Sequence, residues 1–262
     1  MKFSANLGFL WSDRPLPAAI RAAAAAGFDA VECHWPYATP AAEVRAALDE
    51  TGLAMLGLNT VRGNPGENGL SALPGREADA RAAIEQAVAY AEATDTRAIH
   101  VMAGFASGPE AEAVFLSNLA YARQCAPEKI TLLIEPLNRH DAPGYFLKTT
   151  DQAIAILNEL ALPGVKLMFD CYHVGRSEGD IVTRLEALSD RIGHIQFASV
   201  PDRGPPDHGE IDYGFVFGAI AGLGWSLPLG AEYKPVGDSD ATLGWMRALG
   251  RRRSQNVHRG DH

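Results

Sequence analysis

Cysteine is scarce in this chain, and the spacing of the cysteines suggests no pairing. Cys33, Cys125 and Cys171 are far apart, form no CxxC motif and are odd in number. A disulfide framework needs an even set of cysteines, as small secreted domains have. We therefore expect three reduced thiols and a cytoplasmic location.

Positive charge and long apolar runs are also in short supply. The 23 Lys and Arg residues stand against 32 Asp and Glu, which gives a formal net charge of −9. Proteins that bind nucleic acid normally present a basic face to the phosphates, so this balance argues against such a partner. No apolar stretch approaches the ~20 residues that cross a bilayer, and Met1–Trp11 lacks the cleavage site of a signal peptide. We expect neither a nucleic-acid nor a membrane partner.

What the chain does contain is a regular alternation of short apolar runs and longer helical patterns. Its 262 residues are 47% hydrophobic, which is enough for one sizeable core. Helix-start signals such as Pro109 and helix-end signals such as Gly52 separate the apolar runs. Eight runs predict strands: Ser4–Phe9, Ala30–His34, Ala54–Asn59, Ala98–Met102, Thr131–Glu135, Lys166–Asp170, His194–Ala198 and Leu229–Glu232.

Eight strands that alternate with helices are typical of βαβ units and a parallel sheet. A closed (βα)8 TIM barrel of the α/β class accounts for both the strand count and the chain length. A doubly wound open sheet is the alternative, but no GxGxxG motif follows an early strand. We predict a single barrel domain over residues 1–250 and a polar, disordered C-terminal tail over residues 251–262.

Oxygen-bearing side chains stand at the ends of four successive predicted strands. Glu135 ends the fifth, Asp170 the sixth and Glu232 the eighth, while Gln196 lies near the end of the seventh. Active sites of parallel barrels form at the carboxyl ends of the strands, so these four side chains should converge. Such a ligand set suits a hard or borderline divalent cation, Mg²⁺ or Mn²⁺, better than zinc.

A simpler interpretation of each acid is helix capping or a local ion pair. A single carboxylate at a strand end is as often explained that way as by a metal. Four adjacent strands that all end on an oxygen donor are harder to explain by capping, because three buried carboxylates would need compensation. The cluster, rather than any one member, predicts the metal site.

Longer motifs extend over nearly the whole chain: GFDAVECHWPY, GLSALPGRE, HVMAG, IEPLN followed by DAPGYFL, FDCYH, HIQFASVPDR with GEIDY, and EYKP. Together they resemble the hydroxypyruvate isomerase family, within the xylose-isomerase-like TIM barrels. The resemblance implies that Glu135, Asp170, Gln196 and Glu232 bind a divalent metal. It also implies that Glu135 and Glu232 are catalytic and move a proton between C3 and C2 of hydroxypyruvate through an enediolate, giving 2-hydroxy-3-oxopropanoate.

Three further side chains are candidates for substrate binding. Arg203 can grip a carboxylate bidentately, His173 can hydrogen-bond a substrate oxygen, and Lys234 lies two residues past Glu232. Solvated surface or loop packing is the alternative for each. The run Gly204-Pro205-Pro206 departs from the family pattern, in which an acid or amide usually precedes a proline, so substrate choice is less well defined than reaction type.

Several functions remain open on the sequence. A 2-oxo-tetronate isomerase or a ketose 3-epimerase would keep the same metal site, and GLSALPGRE and HVMAG also occur in the 2-oxo-tetronate relatives. A DNA-repair endonuclease of this fold would need a histidine-rich zinc cluster and a basic groove, which the composition disfavours. A non-catalytic sugar-binding protein would not need both Glu135 and Glu232. A homo-oligomer is possible on the sequence, and no pattern in it fixes the oligomeric state.

Overall fold

The structure is a computed structural model that describes residues 1–251. The tail predicted over residues 251–262 lies outside the described residues, except that Arg251 ends the last helix. All three cysteines are free thiols, as expected. Within the described part of the chain, none of the helices is both long and apolar enough to cross a lipid bilayer.

Strands and helices alternate along the chain. The strands are β1 (Phe3–Asn6), β2 (Ala30–Glu32), β3 (Ala54–Met55), β4 (Leu58–Asn59), β5 (Ala98–His100), β6 (Thr131–Ile134), β7 (Val165–Asp170), β8 (Ile192–Phe197) and β9 (Leu229–Ala231). The α-helices are α1 (Leu16–Ala25), α2 (Ala41–Thr51), α3 (Glu77–Thr94), α4 (Pro109–Cys125), α5 (Thr150–Leu160), α6 (Cys171–Ser177), α7 (Ile181–Leu188), α8 (Tyr213–Gly222) and α9 (Gly244–Arg251).

The strands form one parallel sheet in the order β3-β2-β1-β9-β8-β7-β6-β5-β4. Its two ends, β3 and β4, belong to a single extended segment that hydrogen-bonds on both sides. The Leu56 amide donates to the Val31 carbonyl at 2.7 Å, and the Thr60 amide donates to the His100 carbonyl at 3.0 Å. The sheet therefore closes on itself, and β3 and β4 are two halves of the predicted third strand. The predicted (βα)8 barrel is confirmed.

Helix boundaries follow the signals in the sequence. Pro109 opens α4, where its missing amide hydrogen would have had no partner inside the helix. Gly52 follows α2 in a left-handed conformation (φ +71°) and donates to the Leu48 carbonyl, which satisfies a carbonyl at the helix end. These two residues act as the sequence predicted.

The first two strands end earlier than predicted. β1 stops at Asn6 because the chain turns there: the amides of Phe9 and Leu10 both donate to the Asn6 carbonyl. β2 stops at Glu32 rather than His34. Both strands therefore carry polar side chains at the carboxyl end of the barrel, and the residues beyond them are free to form the mouth.

The main core lies between the barrel and the surrounding helices. A cluster of aromatic rings attaches α8 and α9 to the barrel wall. Trp245 packs edge-on against Phe3 and Phe197, with centroids 4.9 and 5.3 Å apart, and Phe217 lies 5.0 Å from Phe197. All four rings are buried. This packing holds the strands rigid, so that side chains at their carboxyl ends keep fixed positions.

Candidate metal centre and active site

Four buried side chains converge at the carboxyl end of the barrel. Glu135 follows β6, Asp170 ends β7, His173 lies in α6 and Glu232 follows β9. One ligand atom from each lies within 4.8 Å of the corresponding atom of every other. The structure thus brings together three of the four predicted metal ligands and one predicted substrate-binding residue.

The fourth predicted ligand, Gln196, lies on the neighbouring strand at the same level. In β8 it pairs in register with Asp170 of β7 on one side and with Gly230 of β9 on the other. Paired residues of parallel strands share a face of the sheet, so its side chain enters the barrel beside Asp170. Its Nε2 donates to Oε1 of Glu32 at 2.7 Å. Its Oε1 is buried and has no hydrogen-bond partner among the described residues.

The residues of this centre fit a divalent cation. Glu135 Oε1, Asp170 Oδ2 and Gln196 Oε1 are all buried, and residues 1–251 supply none of them with a hydrogen-bond donor. Buried oxygens without partners cost free energy, and a cation bound between them would remove that cost. A set of carboxylate and amide oxygens suits Mg²⁺ or Mn²⁺.

Asp170 caps a helix with one carboxylate oxygen and directs the other into the cluster, so both interpretations of this acid are compatible. Its Oδ1 accepts from the Tyr172 amide at 2.9 Å and so caps the start of α6. Its Oδ2 points elsewhere, into the cluster, at 3.7 Å from His173 Nε2. The helix cap fixes the carboxylate and leaves one oxygen available for a ligand.

The three carboxylates affect one another's protonation. Burial, together with the negative charges of Glu232 and Asp170, raises the pKa of Glu135 well above its ordinary value. Burial and the charge of Glu232 raise the pKa of Asp170 to about 8. Burial also acts to raise the pKa of Glu232, but the Arg203 charge and the His34 hydrogen bond outweigh it and lower that pKa. A further positive charge at the cluster would lower the raised pKa values of Glu135 and Asp170 and so favour ionisation of all three acids.

His173 faces the carboxylates with the ring nitrogen that is not engaged by Asn138. Its Nδ1 accepts from the Asn138 backbone amide at 3.0 Å and faces the Asn138 side-chain amide at 2.8 Å. Because Nδ1 accepts, the ring proton of the neutral imidazole is on Nε2, which faces Glu135 and Asp170. Burial and the Arg203 charge lower the pKa of His173 to about 3, so the ring is neutral.

Arg203 lies inside the site with its guanidinium between two aromatic rings. Its Cζ is 4.9 Å from the ring centre of Phe9 and 5.0 Å from that of Tyr172. Nη2 bonds the Glu232 carboxylate, and Nη1 is 3.5 Å from Asp141. Contact with two aromatic rings restricts the orientation of the guanidinium, which favours bidentate recognition of a carboxylate.

Lys234 lies outside the buried cluster. Its side chain is exposed, and its ammonium is 5.9 Å from the ring centre of Phe9. Its backbone amide donates to the Arg203 carbonyl at 2.7 Å. Lys234 therefore touches the site through its main chain, and its charge lies at the mouth.

Hydrogen bonds to the Asp202 side chain stabilise the loop that carries Arg203. Asp202 accepts from Ser199 Oγ and from His208 Nε2, the latter at 2.8 Å, and the Gly204 amide lies 3.3 Å from it. This clip of Asp202 and His208 is present although the Gly204-Pro205-Pro206 run lacks the acid or amide of the family pattern. It positions Arg203, whose backbone has a left-handed φ of +57°.

Three further polar residues surround the cluster, and the sequence did not predict them as part of the site. His34 Nε2 lies 2.9 Å from Glu232 Oε1, and Asn6 Nδ2 donates to the same oxygen at 3.0 Å. Glu32 is buried and accepts from Gln196. Glu32 ends the observed β2, but the predicted second strand ran on to His34, so the sequence marked His34 rather than Glu32 as a strand end. Only oxygen-bearing strand ends entered the predicted metal site, and His34 was therefore not selected.

Comparisons with known proteins agree with this geometry. Residues 20–249 match the family described as a xylose isomerase-like TIM barrel. The chain is 43% identical to the 2-oxo-tetronate isomerase of Cupriavidus necator, over 95% of this chain and 99% of that protein. It is 35% identical to the hydroxypyruvate isomerase of Escherichia coli, over 94% and 98%. The crystal structure of an AP endonuclease, family 2, from Brucella melitensis is 34% identical, has a TM-score of 0.90 and covers 94% of this chain and 98% of its own. The chain therefore belongs to the xylose isomerase-like TIM barrel family, as its motifs predicted.

Proposed function

We propose that this protein is a divalent-metal-dependent isomerase that interconverts hydroxypyruvate and 2-hydroxy-3-oxopropanoate. The observation that carries the proposal is the convergence of three buried carboxylates beside Arg203, whose guanidinium lies against two aromatic rings. The carboxylates and Gln196 offer oxygens to a cation, and Arg203 offers a fixed positive plane to a substrate carboxylate. The names of the relatives support an isomerase of this type.

In this proposal Glu135, Asp170, Gln196 and Glu232 hold the cation. When bound, the cation supplies Lewis acidity that stabilises negative charge developing on the substrate oxygens. The protein residues fix where the substrate lies. The guanidinium of Arg203 grips the carboxylate, and Nε2–H of His173 donates to a substrate oxygen. Lys234 at the mouth attracts the anion.

Glu135 and Glu232 are the proposed proton-transfer groups. One carboxylate removes a proton from C3, so that the C3–H electron pair forms the carbon–carbon double bond of an enediolate. A proton then returns at C2, and the hydroxyl proton of C3 is transferred to the C2 oxygen, so that a carbonyl forms at C3 and a hydroxyl at C2. No atom is gained or lost in the overall reaction. Two carboxylates held in one buried cluster can act on the two carbons without a change of fold.

A 2-oxo-tetronate isomerase is the second candidate. The observation that favours it is the 43% identity to the 2-oxo-tetronate isomerase of Cupriavidus necator. The substrate would have one more carbon and the same carboxylate end. A ketose 3-epimerase fits less well, because its neutral substrate has no carboxylate for the stacked Arg203 guanidinium to bind.

We further propose that the protein acts on a small molecule in the cytoplasm and does not bind nucleic acid. Three free cysteines fit a reducing compartment. The net charge of −9 and the oxygen-rich centre do not fit a basic groove with a histidine-rich zinc cluster. Similarity to the Brucella melitensis protein, which is named as an endonuclease, does not outweigh these features, because one fold can serve several functions.

Turnover by metal-stripped protein tests the proposal. Hydroxypyruvate, 2-oxo-tetronates and ketose sugars are supplied with and without Mn²⁺ or Mg²⁺, and 2-hydroxy-3-oxopropanoate is detected with a coupled reductase. We expect activity on an acid that returns with metal and is lost in Glu232→Gln. Glu178→Gln removes a buried carboxylate elsewhere and serves as the control. Metal-independent turnover, or turnover of ketoses alone, would contradict the proposal.

A further inference from the structure

Glu32 lies inside the barrel, and both of its carboxylate oxygens are fully engaged. Oε1 accepts from Asn6 Nδ2 at 3.0 Å and from Gln196 Nε2 at 2.7 Å. Oε2 accepts from Ser4 Oγ at 2.9 Å and from His194 Nε2 at 2.6 Å. These four donors come from β1 and β8, and the residue is 3% exposed. A carboxylate with four donors has little capacity left to bind a metal itself.

The Glu32 side chain reaches β8 because β9 leaves room for it. β9 lies between β1 and β8, and at this level it carries Gly230. A Cβ atom on Gly230 would lie 2.7 Å from each Glu32 oxygen and 2.8 Å from Cγ of Gln196. The glycine therefore creates the space in which Glu32 and Gln196 meet.

The contact with Glu32 decides which way the Gln196 amide faces. A primary amide has a donor end and an acceptor end, and a carboxylate can only accept. Only the NH₂ end of Gln196 can therefore face Glu32, so the carbonyl oxygen is turned away from it. That oxygen is the buried Oε1 that lacks a partner among residues 1–251.

The orientation of the Asn6 side-chain amide is also fixed by its partners. Its Oδ1 accepts from the Gly8 amide at 3.0 Å, so its NH₂ group must face inward. There Nδ2 bridges Glu32 Oε1 and Glu232 Oε1, each at 3.0 Å. Glu32 is thus connected to two proposed metal ligands, one directly and one through Asn6.

We propose that Glu32 is a positioning residue, which fixes the Gln196 amide and the Glu232 carboxylate so that both present an oxygen to the cation. This inference rests on the proposed metal centre and adds to it the residue that orients its ligands. Groups that orient ligands in this way commonly change metal affinity by about 10- to 100-fold when they are replaced.

Three variants test the role of Glu32, and Mn²⁺ affinity is measured by titration with detection of free Mn²⁺ by electron paramagnetic resonance. Glu32→Gln keeps the size and shape of the side chain but replaces one acceptor oxygen by an NH₂ group. That group would face hydrogen-bond donors, so the Gln196 amide can turn over and present its oxygen to position 32 instead. We expect its affinity for Mn²⁺ to fall by about 10- to 100-fold. Gly230→Ala, which displaces the Glu32 carboxylate, should weaken Mn²⁺ binding in the same direction.

The double variant Glu32→Gln/Gln196→Glu is the decisive one. It exchanges the two groups at constant charge, and a carboxylate at position 196 presents an oxygen whichever way it turns. We expect it to regain most of the affinity that Glu32→Gln loses. A merely structural defect would not be relieved by this exchange.

Glu178→Gln is the matched control, because the Glu178 carboxylate also accepts several hydrogen bonds, from Thr150 and from Arg184, but lies away from the centre. It should lose stability and keep its Mn²⁺ affinity. Wild-type affinity in Glu32→Gln, or no recovery in the double variant, would overturn the positioning role while leaving the metal centre intact. Absence of Mn²⁺ binding by the wild-type protein would instead overturn the metal centre and this inference with it.

Discussion

The backbone amide of Asn138 donates to Nδ1 of His173 at 3.0 Å, and this contact determines what the histidine can do. The side-chain amide of Asn138 faces the same nitrogen, because its Oδ1 already accepts from the amides of His140 and Asp141. The proton of the neutral ring is therefore directed into the carboxylate cluster. The grouping of His173 with three acids resembles a ligand set, but the imidazole nitrogen that faces them is a donor.

The role of His173 can be separated from that of the acids. His173→Phe keeps a ring in place and removes the donor, so we expect kcat/KM to fall by about 10- to 100-fold, as loss of a hydrogen bond to a charged group does. Mn²⁺ affinity should stay close to that of the wild-type protein. Asp170→Asn, which changes a proposed ligand, provides the contrast. A loss of Mn²⁺ affinity in His173→Phe as large as in Asp170→Asn would make His173 a ligand.

Removal of metal should destabilise the fold. Without a cation, the buried oxygens of Glu135, Asp170 and Gln196 lack partners among the described residues. We expect Mn²⁺ to raise the unfolding temperature of stripped protein, with about 2.7 kcal/mol of stabilisation at a hundredfold excess over Kd. Thermal unfolding with and without chelator measures this. If Mn²⁺ raised the unfolding temperature of Asp170→Asn by as much as that of the wild-type protein, Mn²⁺ would be binding at a site other than this cluster.

Arg203→Lys should damage recognition of an acid substrate. Lysine keeps the charge but loses both the bidentate fork and the stacking on Phe9 and Tyr172, so we expect kcat/KM to fall by about 100-fold. Arg176→Lys is the control, because Arg176 lies over the same Tyr172 ring but bonds the Pro201 carbonyl rather than a carboxylate of the cluster. Equal losses on acid and neutral substrates would contradict an anion-binding role for Arg203.

The Asp202–His208 clip should respond to pH. The hydrogen bonds that His208 donates to Asp202 and Asp207 raise its pKa above the ordinary 6.5, so the stabilisation is complete below pH 6.5 and is lost as pH rises through the raised pKa. Burial opposes ionisation of Asp202, but the His208 and Ser199 hydrogen bonds lower its pKa to about 2. The stabilisation that Asp202 contributes is therefore present above its ordinary pKa of 3.8 and is lost as pH falls toward 2.

His208→Asn tests this clip by thermal unfolding. We expect the wild-type protein to unfold at a higher temperature than the variant at about pH 6, with a smaller difference at about pH 9. The effect should be modest, because about half of each side chain is exposed. The same difference at both pH values would mean that the charge of His208 contributes nothing.

Two phenylalanines of α8 give a matched pair for the core. Phe217 is 7% exposed and lies in the aromatic cluster, whereas Phe215 is 66% exposed. Phe217→Ala should lower the free energy of unfolding by about 3–5 kcal/mol. Phe215→Ala should change it by no more than about 0.5 kcal/mol. Urea denaturation measures both, and similar losses would show that burial of Phe217 is not what stabilises this face.

The barrel and the ligand residues could be predicted because both depend on local patterns. Short apolar runs mark strands, and parallel strands bring their carboxyl ends together, so Glu135, Asp170, Gln196 and Glu232 could be placed without a structure. Glu32 ends the observed β2, although the predicted strand ran on to His34. Its function as an acceptor, rather than as a ligand, is decided by donors on β1 and β8, and no pattern within its own strand shows them.

The contacts that loop residues make could not be predicted from the sequence. Asn138 and Asp141 lie in the segment after β6, and Asp202 and His208 in the segment after β8, where the chain has no periodicity to interpret. Their roles depend on which backbone amides and rings they meet in three dimensions. The early end of β1 at Asn6 was missed for a similar reason, since residues Leu7 to Leu10 are as apolar as a strand but form a turn.

The segment Ala54–Asn59 hydrogen-bonds to both of its neighbours and so joins the two ends of the sheet. Within residues 1–251 the ring consequently offers no unpaired strand to which a second chain could add. Among these residues, the barrel leaves no strand edge by which copies could extend one another's sheets, which is the usual route from exposed strands to cross-β aggregation. In the same part of the chain, contacts between folded subunits would fall on helix faces and loops, whose side chains can be specific where a bare backbone edge is not.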